Sequence, residues 1–460
     1  MLTAELLQPQ SLGESPNLSQ LKSIEIKGLF GHKDIKIPFD QGVKILIGEN
    51  GSGKTIILAI LYYTLTYQFD KLAHMDFESV EVEFSFNQTL AFNQDDLESF
   101  RAIPILDELE PFIPQVTSKR LRRYVQIGHS IQHLERELLK CIERYALPIE
   151  LVQKIHVLKD KNNGRKNNRK LLISQRHIEK SLQDYILYMP TYRRIEKDLY
   201  GLGFDEKIIE QLKSENCSGN LMNFGMSDIV RKISQIESAI ERISSMFFPK
   251  VTGGILSQFL GGNDVTDEMR QRVENLEYLS SVFQQIGEDN LSLSDRQKIE
   301  SLIASGEIRL SKHDPLVHFL SELIDWNHQI QQETAGIKSF VAVCNRYLAG
   351  KQFVYHDKDF RIVLVQNKSK NEIDLGTLSS GEKQIVSLFF KIYMEASQNF
   401  ILLIDEPEMS LSIEWQRLLL PDIMKSKNCK LIIATTHSPF IFDNELDSYA
   451  HDLNTFVSEP

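Results

Sequence analysis

The segment Gly48-Glu49-Asn50-Gly51-Ser52-Gly53-Lys54-Thr55 lies between an apolar run and the start of a helical pattern. Its spacing is that of a loop that cradles phosphate. The glycines let backbone N–H groups curl around an anion, and the helix start adds its positive end. Lys54 can then reach the outer phosphates and Thr55 can offer its hydroxyl to Mg²⁺. The expected nucleotide contacts are Asn50, Gly51, Ser52, Gly53, Lys54 and Thr55.

A second group, Ile401-Leu402-Leu403-Ile404-Asp405-Glu406-Pro407, is an apolar strand that ends in two carboxylates. Such a strand delivers Asp405 to a metal beside Thr55 and places Glu406 to take a proton from an attacking water. Alone, an acidic pair at a strand end would be an ordinary surface feature; the phosphate loop gives it a partner.

A third group, Leu378-Ser379-Ser380-Gly381-Glu382-Lys383-Gln384, opens a helix. Hydroxyl and glycine N–H groups at a helix N-terminus make an anion site. Ser379 followed by Glu382 is equally a capping box, and both descriptions can hold at once. The fourth group is Thr435-Thr436-His437-Ser438-Pro439, a histidine just past an apolar strand. A lone histidine there is usually structural, but its place after the other three groups points to function.

These groups need strands and helices to position them. Two or three short strands are expected within 21–47, among them 21–26 and the apolar run 42–47, then strands at 80–86, 352–355, 360–365, 373–375, 400–404 and 431–434, with helices from 54, from about 380 and over 412–425. Between them, from about 95 to 345, the period is helical. Leu121, Tyr124, Ile127, Ile131, Leu134, Leu138, Ile142 and Tyr145 recur every three or four residues. So do Ile229, Ile233, Ile236, Ile240 and Ile243, behind a cap at Ser227 or Asp228. They fit an antiparallel bundle or short coiled coil, and equally the core helices of an ordinary domain. The basic stretch Lys161 to Lys170 is an expected loop. The outcome is an α/β core split by a helical insertion. The expected parts are a tail (1–20), a lobe with the phosphate loop (21–95), the insertion (96–345, with 186–200 returning to the core) and a second lobe (346–460).

At 42% hydrophobic and 25% charged, the 460 residues can bury sizeable cores. No stretch suits a membrane helix and no export signal opens the chain, so a cytoplasmic protein is expected. Cys141, Cys217, Cys344 and Cys429 form no CxxC pair, which argues against a zinc knuckle or a disulfide framework. The net charge is −11, yet residues 111–200 carry 19 Lys and Arg against 9 Asp and Glu. Such a segment is compatible with binding DNA, or with a solvated helical face.

With these four groups in this order, the sequence resembles the ABC-type ATPases, in the branch of the SMC, RecF and OLD proteins. The resemblance implies ATP and Mg²⁺ as ligands and an ABC-type head that dimerises head to tail, with larger assemblies open. It implies that Ser379, Ser380, Gly381 and Glu382 of one copy close on the nucleotide of the other, with Ser379 and Gly381 at the γ-phosphate. Glu406 would be the catalytic base, His437 a γ-phosphate sensor, Thr55 and Asp405 the metal ligands, and Met409-Ser410-Leu411 a dimer contact. No glutamine loop is evident: Ile186 to Arg194 looks like the lobe-joining segment and holds no glutamine, and Arg193 and Arg194 could touch phosphate or simply form surface ion pairs.

Few residues follow His437, so the nuclease domain of OLD proteins is not expected, nor is a metal-nuclease cluster in the insertion. Within the branch the set most resembles the PtuA family of Septu ATPase subunits, which implies an antiphage ATPase acting on a separate effector such as an HNH nuclease. The alternative is a RecF-like or SMC-like repair ATPase that clamps DNA on binding ATP.

Overall fold

The computed structural model describes residues 19–39, 41–49, 51–126, 131–145, 147–160, 169–190, 226–259, 265–286, 291–357, 359–395 and 398–458. Asn50, Cys217, Arg193, Arg194 and most of the basic 161–170 stretch lie outside them. The chain divides into two compact units, one of residues 1–223 and 396–460, the other of 224–395.

The first unit holds two sheets. One is antiparallel, in the order β12 (Val457–Ser458), β2 (Lys33–Pro38), β1 (Leu21–Leu29), β4 (Ser79–Phe84), β5 (Thr89–Asn93). In β4 burial alternates along the strand, the pattern expected when one face meets the core. The other sheet runs β11 (Ala450–Asp452), β3 (Val43–Ile47), β10 (Cys429–Thr436), β9 (Phe400–Asp405), β6 (Tyr185–Met189), every pair of neighbours parallel. All six residues of β9 are buried, which is why this strand is a continuous apolar run. Helix α1 (Lys54–Leu65) carries buried apolar residues around its circumference, and Tyr62 stacks on Tyr188 of β6 at 4.8 Å.

Helices α2 (Phe69–Leu72), α3 (Ile103–Leu109), α4 (Gln115–Gln126), α5 (Ile131–Arg144), α6 (Ile149–Asp160) and α7 (Arg169–Ser181) belong to this same unit. Leu121, Leu134, Leu138, Ile155 and Ile178 share its hydrophobic core with Leu46 and Leu403. The first half of the helical stretch is therefore core packing in the first unit. The apolar series from Leu121 to Tyr145 falls on two helices, α4 and α5, which meet where Arg120 pairs with Glu137 at 3.3 Å.

The second unit has long helices α8 (Met226–Phe259) and α12 (Asp314–Cys344), with α9 (Asp267–Glu274), α10 (Leu276–Ile286) and α11 (Leu293–Ala304) between them. Helix α8 already includes Ser227 and Asp228, so neither caps it. Val273, Val282, Ile299, Val317 and Leu320 form a local core. A hairpin of β7 (Lys351–His356) and β8 (Arg361–Gln366) follows, and the expected strand at 373–375 reduces to one bridge between Val365 and Glu372. Helix α13 (Ser380–Phe390) packs through Phe389 on Tyr347 and through Phe390 on Phe340. The architecture is the expected α/β class with a helical insertion. No helix among the described residues is long and apolar enough to cross a membrane.

Candidate functional site

Three neighbouring parallel strands of the first unit build the site. The register pairs Ile47 of β3 with Thr436 of β10, and Thr435 with Asp405 of β9. The phosphate loop, His437 and the Asp405-Glu406 pair therefore leave the sheet at the same carboxyl edge, where open α/β sheets bind ligands.

The loop after β3 curls through left-handed glycines, with φ of 83° at Gly51 and 99° at Gly53. At Gly53 a second constraint applies: a Cβ would lie 3.2 Å from the Phe30 ring in the β1–β2 turn, so only glycine suits. Gly53 also supplies no side-chain cap to α1, leaving that helix's first-turn N–H groups to another partner. Lys54 folds back over the loop, its Nζ donating to Gly48 O at 2.8 Å, Glu49 O at 2.9 Å and Ser52 Oγ at 3.3 Å. Burial pushes its ammonium below the usual lysine value, against the pull of Asp405, Glu406 and Glu408.

Thr55 donates its hydroxyl to Asp405 Oδ2 at 2.8 Å, and Thr435 donates to Asp405 Oδ1 at 2.6 Å. Asp405 is only 3% exposed, so these bonds compensate the burial of its charge. The Thr55 and Asp405 oxygens lie side by side, as a Mg²⁺ site completed by phosphate and water requires. Among the described residues no group of three or more His, Cys, Asp or Glu gathers as a metal site, and a Mg²⁺ held mostly by substrate needs none.

Glu406 has a φ of 48°, so the chain turns sharply as it leaves β9. Its Oε1 is 4.0 Å from His437 Nε2. Glu408 and Gln416 were not singled out from the sequence, and Thr435 was named there only as part of the histidine segment, yet all three brace this edge. Glu408 Oε1 accepts from the N–H groups of His437 at 2.8 Å and Ser438 at 3.2 Å. The only sequence signal for Glu408 was its spacing after Glu406.

Ser379, Ser380, Gly381 and Glu382 lie in the second unit, at the start of α13. The capping box is present: Ser379 N–H donates to Glu382 Oε2 at 2.7 Å and Glu382 N–H to Ser379 Oγ at 3.4 Å. Lys351 Nζ also donates to Glu382 Oε2, at 2.8 Å. Burial alone would raise the Glu382 carboxyl, but Lys351 and Ser379 outweigh it and hold it below the ordinary value. Glu382 is thus a brace for the helix start, while Ser379 and Ser380 face outward.

Fold and site together define a P-loop nucleotide-binding domain. The sequence matches the family described as AAA ATPase domain over residues 20–442, and the chain belongs to that family. No curated protein matches the sequence. Among solved structures it is similar to the Smc head domain with an extended coiled coil bound to the C-terminal domain of ScpA, derived from Pyrococcus furiosus. That match has 12% identity over 92% of this chain and 90% of that one, with a TM-score of 0.34. It is also similar to the SmcHead bound to the C-winged helix domain of ScpA, at 10% identity over the same shares with a TM-score of 0.33.

Proposed function

We propose that this chain binds and hydrolyses ATP, and that nucleotide occupancy switches it between two states of association. The carrying observation is the shared carboxyl edge of β3, β10 and β9, with the Thr55 hydroxyl 2.8 Å from Asp405. In this reading Lys54 exchanges its carbonyl partners in the loop for the outer phosphates, and the uncapped start of α1 directs its N–H groups at them. Mg²⁺, held by Thr55 and Asp405, would neutralise phosphate charge as it develops. Glu406 accepts the proton of the attacking water, and His437 donates toward the terminal phosphate. Ser379 and Gly381 of a second copy complete the site, so ATP joins two copies head to tail. Phosphate release from purified protein, abolished by Glu406→Gln and restored to neither K54A nor D405A by added Mg²⁺, tests the chemistry.

The regulatory part of the proposal is an ATPase subunit that senses phage infection and controls a separate effector, such as an HNH nuclease, of an antiphage system. The motif set and its resemblance to PtuA-type ATPases support this reading. Affinity purification from the native host with neighbouring genes intact tests it. A stoichiometric nuclease or toxin supports the effector switch; the ATPase with DNA and repair factors instead points to a clamp, in which the basic 111–200 segment would serve.

A further inference from the structure

We propose that Glu408 is a positioning residue that sets the distance between His437 and Glu406. The inference rests on the reading of those two residues as hydrolytic. The β9–β10 ladder ends at the pair of Asp405 with Thr435, with Glu406 N–H donating to Thr435 O at 2.9 Å, and the β3–β10 ladder ends at the pair of Ile47 with Thr436, so His437 is the first residue of this strand beyond the sheet. Glu408 holds the backbone there. Its Oε1 receives the N–H groups of His437 and Ser438, while Leu411 N–H donates to Glu408 O at 3.1 Å and Met409 N–H to Glu406 O at 3.2 Å. The turn bearing Glu406 is thereby tied to the turn bearing His437.

A second tie runs through Gln416 of α14 (Ile413–Met424). Ser438 Oγ donates to Gln416 Oε1 at 2.6 Å, and Gln416 Nε2 donates to Leu411 O at 3.0 Å. Both ties link the same two turns. Glu408 Oε1 is already engaged by two N–H groups and Oε2 is buried without a hydrogen-bond partner among the described residues, so this carboxylate is a brace and not a second base. A small displacement of a catalytic group is enough to slow chemistry about tenfold to a hundredfold while substrate binding persists.

The test compares steady-state ATP hydrolysis and amide hydrogen exchange over residues 435–440 in the full chain and in E408A, E408D, E408Q and E406Q. E408A and the shortened but still charged E408D are expected to lose kcat about tenfold or more with KM for ATP changed less than about threefold. Faster exchange at His437 and Ser438 should accompany the loss. E408Q, whose amide oxygen still accepts, is expected to recover kcat to within about threefold and to restore protection. Full activity in E408A or E408D, or an E408Q as impaired as E408A, overturns the proposal even where E406Q is inactive as expected. If the unaltered chain and E406Q release phosphate equally, the hydrolytic reading itself falls and this inference with it. Should E408A not fold, E408D and E408Q carry the same comparison.

Discussion

Thr55 and Asp405, 350 residues apart in the chain, meet at 2.8 Å through the Thr55 hydroxyl and Asp405 Oδ2. The contact brings the end of the phosphate loop against the end of β9 and joins two segments separated by the whole helical insertion. Because Asp405 is the acceptor and carries the charge, Asp405→Ala should remove the Mg²⁺-dependent part of ATP binding. Titration of a fluorescent ATP analogue with and without Mg²⁺ checks this: a D405A protein that still gains affinity from Mg²⁺ as the wild type does would contradict the assignment.

Thr435 is expected to matter through Asp405 rather than through nucleotide. Thr435→Val keeps the shape but removes the hydroxyl that donates to Asp405 Oδ1 at 2.6 Å. Losing one hydrogen bond to a buried carboxylate costs about 1.5–3 kcal/mol, which urea unfolding without nucleotide will register.

Lys54→Met should lower ATP affinity at least about tenfold, since one charge-assisted contact to phosphate is worth about 1.5–3 kcal/mol. The same change strips a donor from Gly48 O and Glu49 O, so the loop should loosen as well. Isothermal titration with ATP, alongside circular dichroism to show the fold intact, separates the two effects.

Glu406→Gln should trap ATP-bound dimers, because the amide cannot accept the water's proton while nucleotide contacts remain. Light scattering at saturating ATP measures this, and a monomeric E406Q protein would refute the head-to-tail arrangement.

Glu382 and Lys351 yield a pH dependence. The Glu382 carboxyl is held below its ordinary value of 4.5, so its bonds stabilise the folded unit above that value and the contribution is lost as pH falls through the folded value. Lys351→Met should therefore destabilise the protein at neutral pH, and the difference from wild type should shrink below about pH 4. Urea midpoints across that range decide it; a constant difference would mean that Lys351 acts through packing alone.

Gly336→Ala pits propensity against space. Alanine favours the middle of α12 by about 1 kcal/mol, but its Cβ would lie 2.6 Å from the Tyr393 carbonyl oxygen in the π-helical turn Lys391–Glu395. A carbonyl held in a helix cannot step aside cheaply, and overpacking of this kind costs about 1–3 kcal/mol, so a net loss of stability is expected by urea unfolding.

Much of this site was legible in the sequence for a local reason. A phosphate loop needs glycines at set intervals, a fully buried parallel strand must be apolar throughout, and a capped helix start needs its hydroxyl and acid three apart. Gly51, Gly53, the run from Phe400 to Asp405, and Ser379 with Glu382 could therefore be found from neighbours in the chain alone. The helical periodicity was legible too, but not its destination: Leu121 and Leu134 show a buried face without naming what buries it, and only the packed unit joined them to Leu46 and Leu403.

What tertiary structure alone decided are the contacts between distant segments. Glu408 became a partner of His437, Thr435 of Asp405 and Lys351 of Glu382 because strand order and register, or a helix start packed on a hairpin, brought them within hydrogen-bond reach. A polar side chain looks the same in sequence whether it faces water or a backbone N–H. The sequence determines the local chemistry of each segment, and folding determines which segments meet, because the free energy of burial is set by partners that no local pattern records.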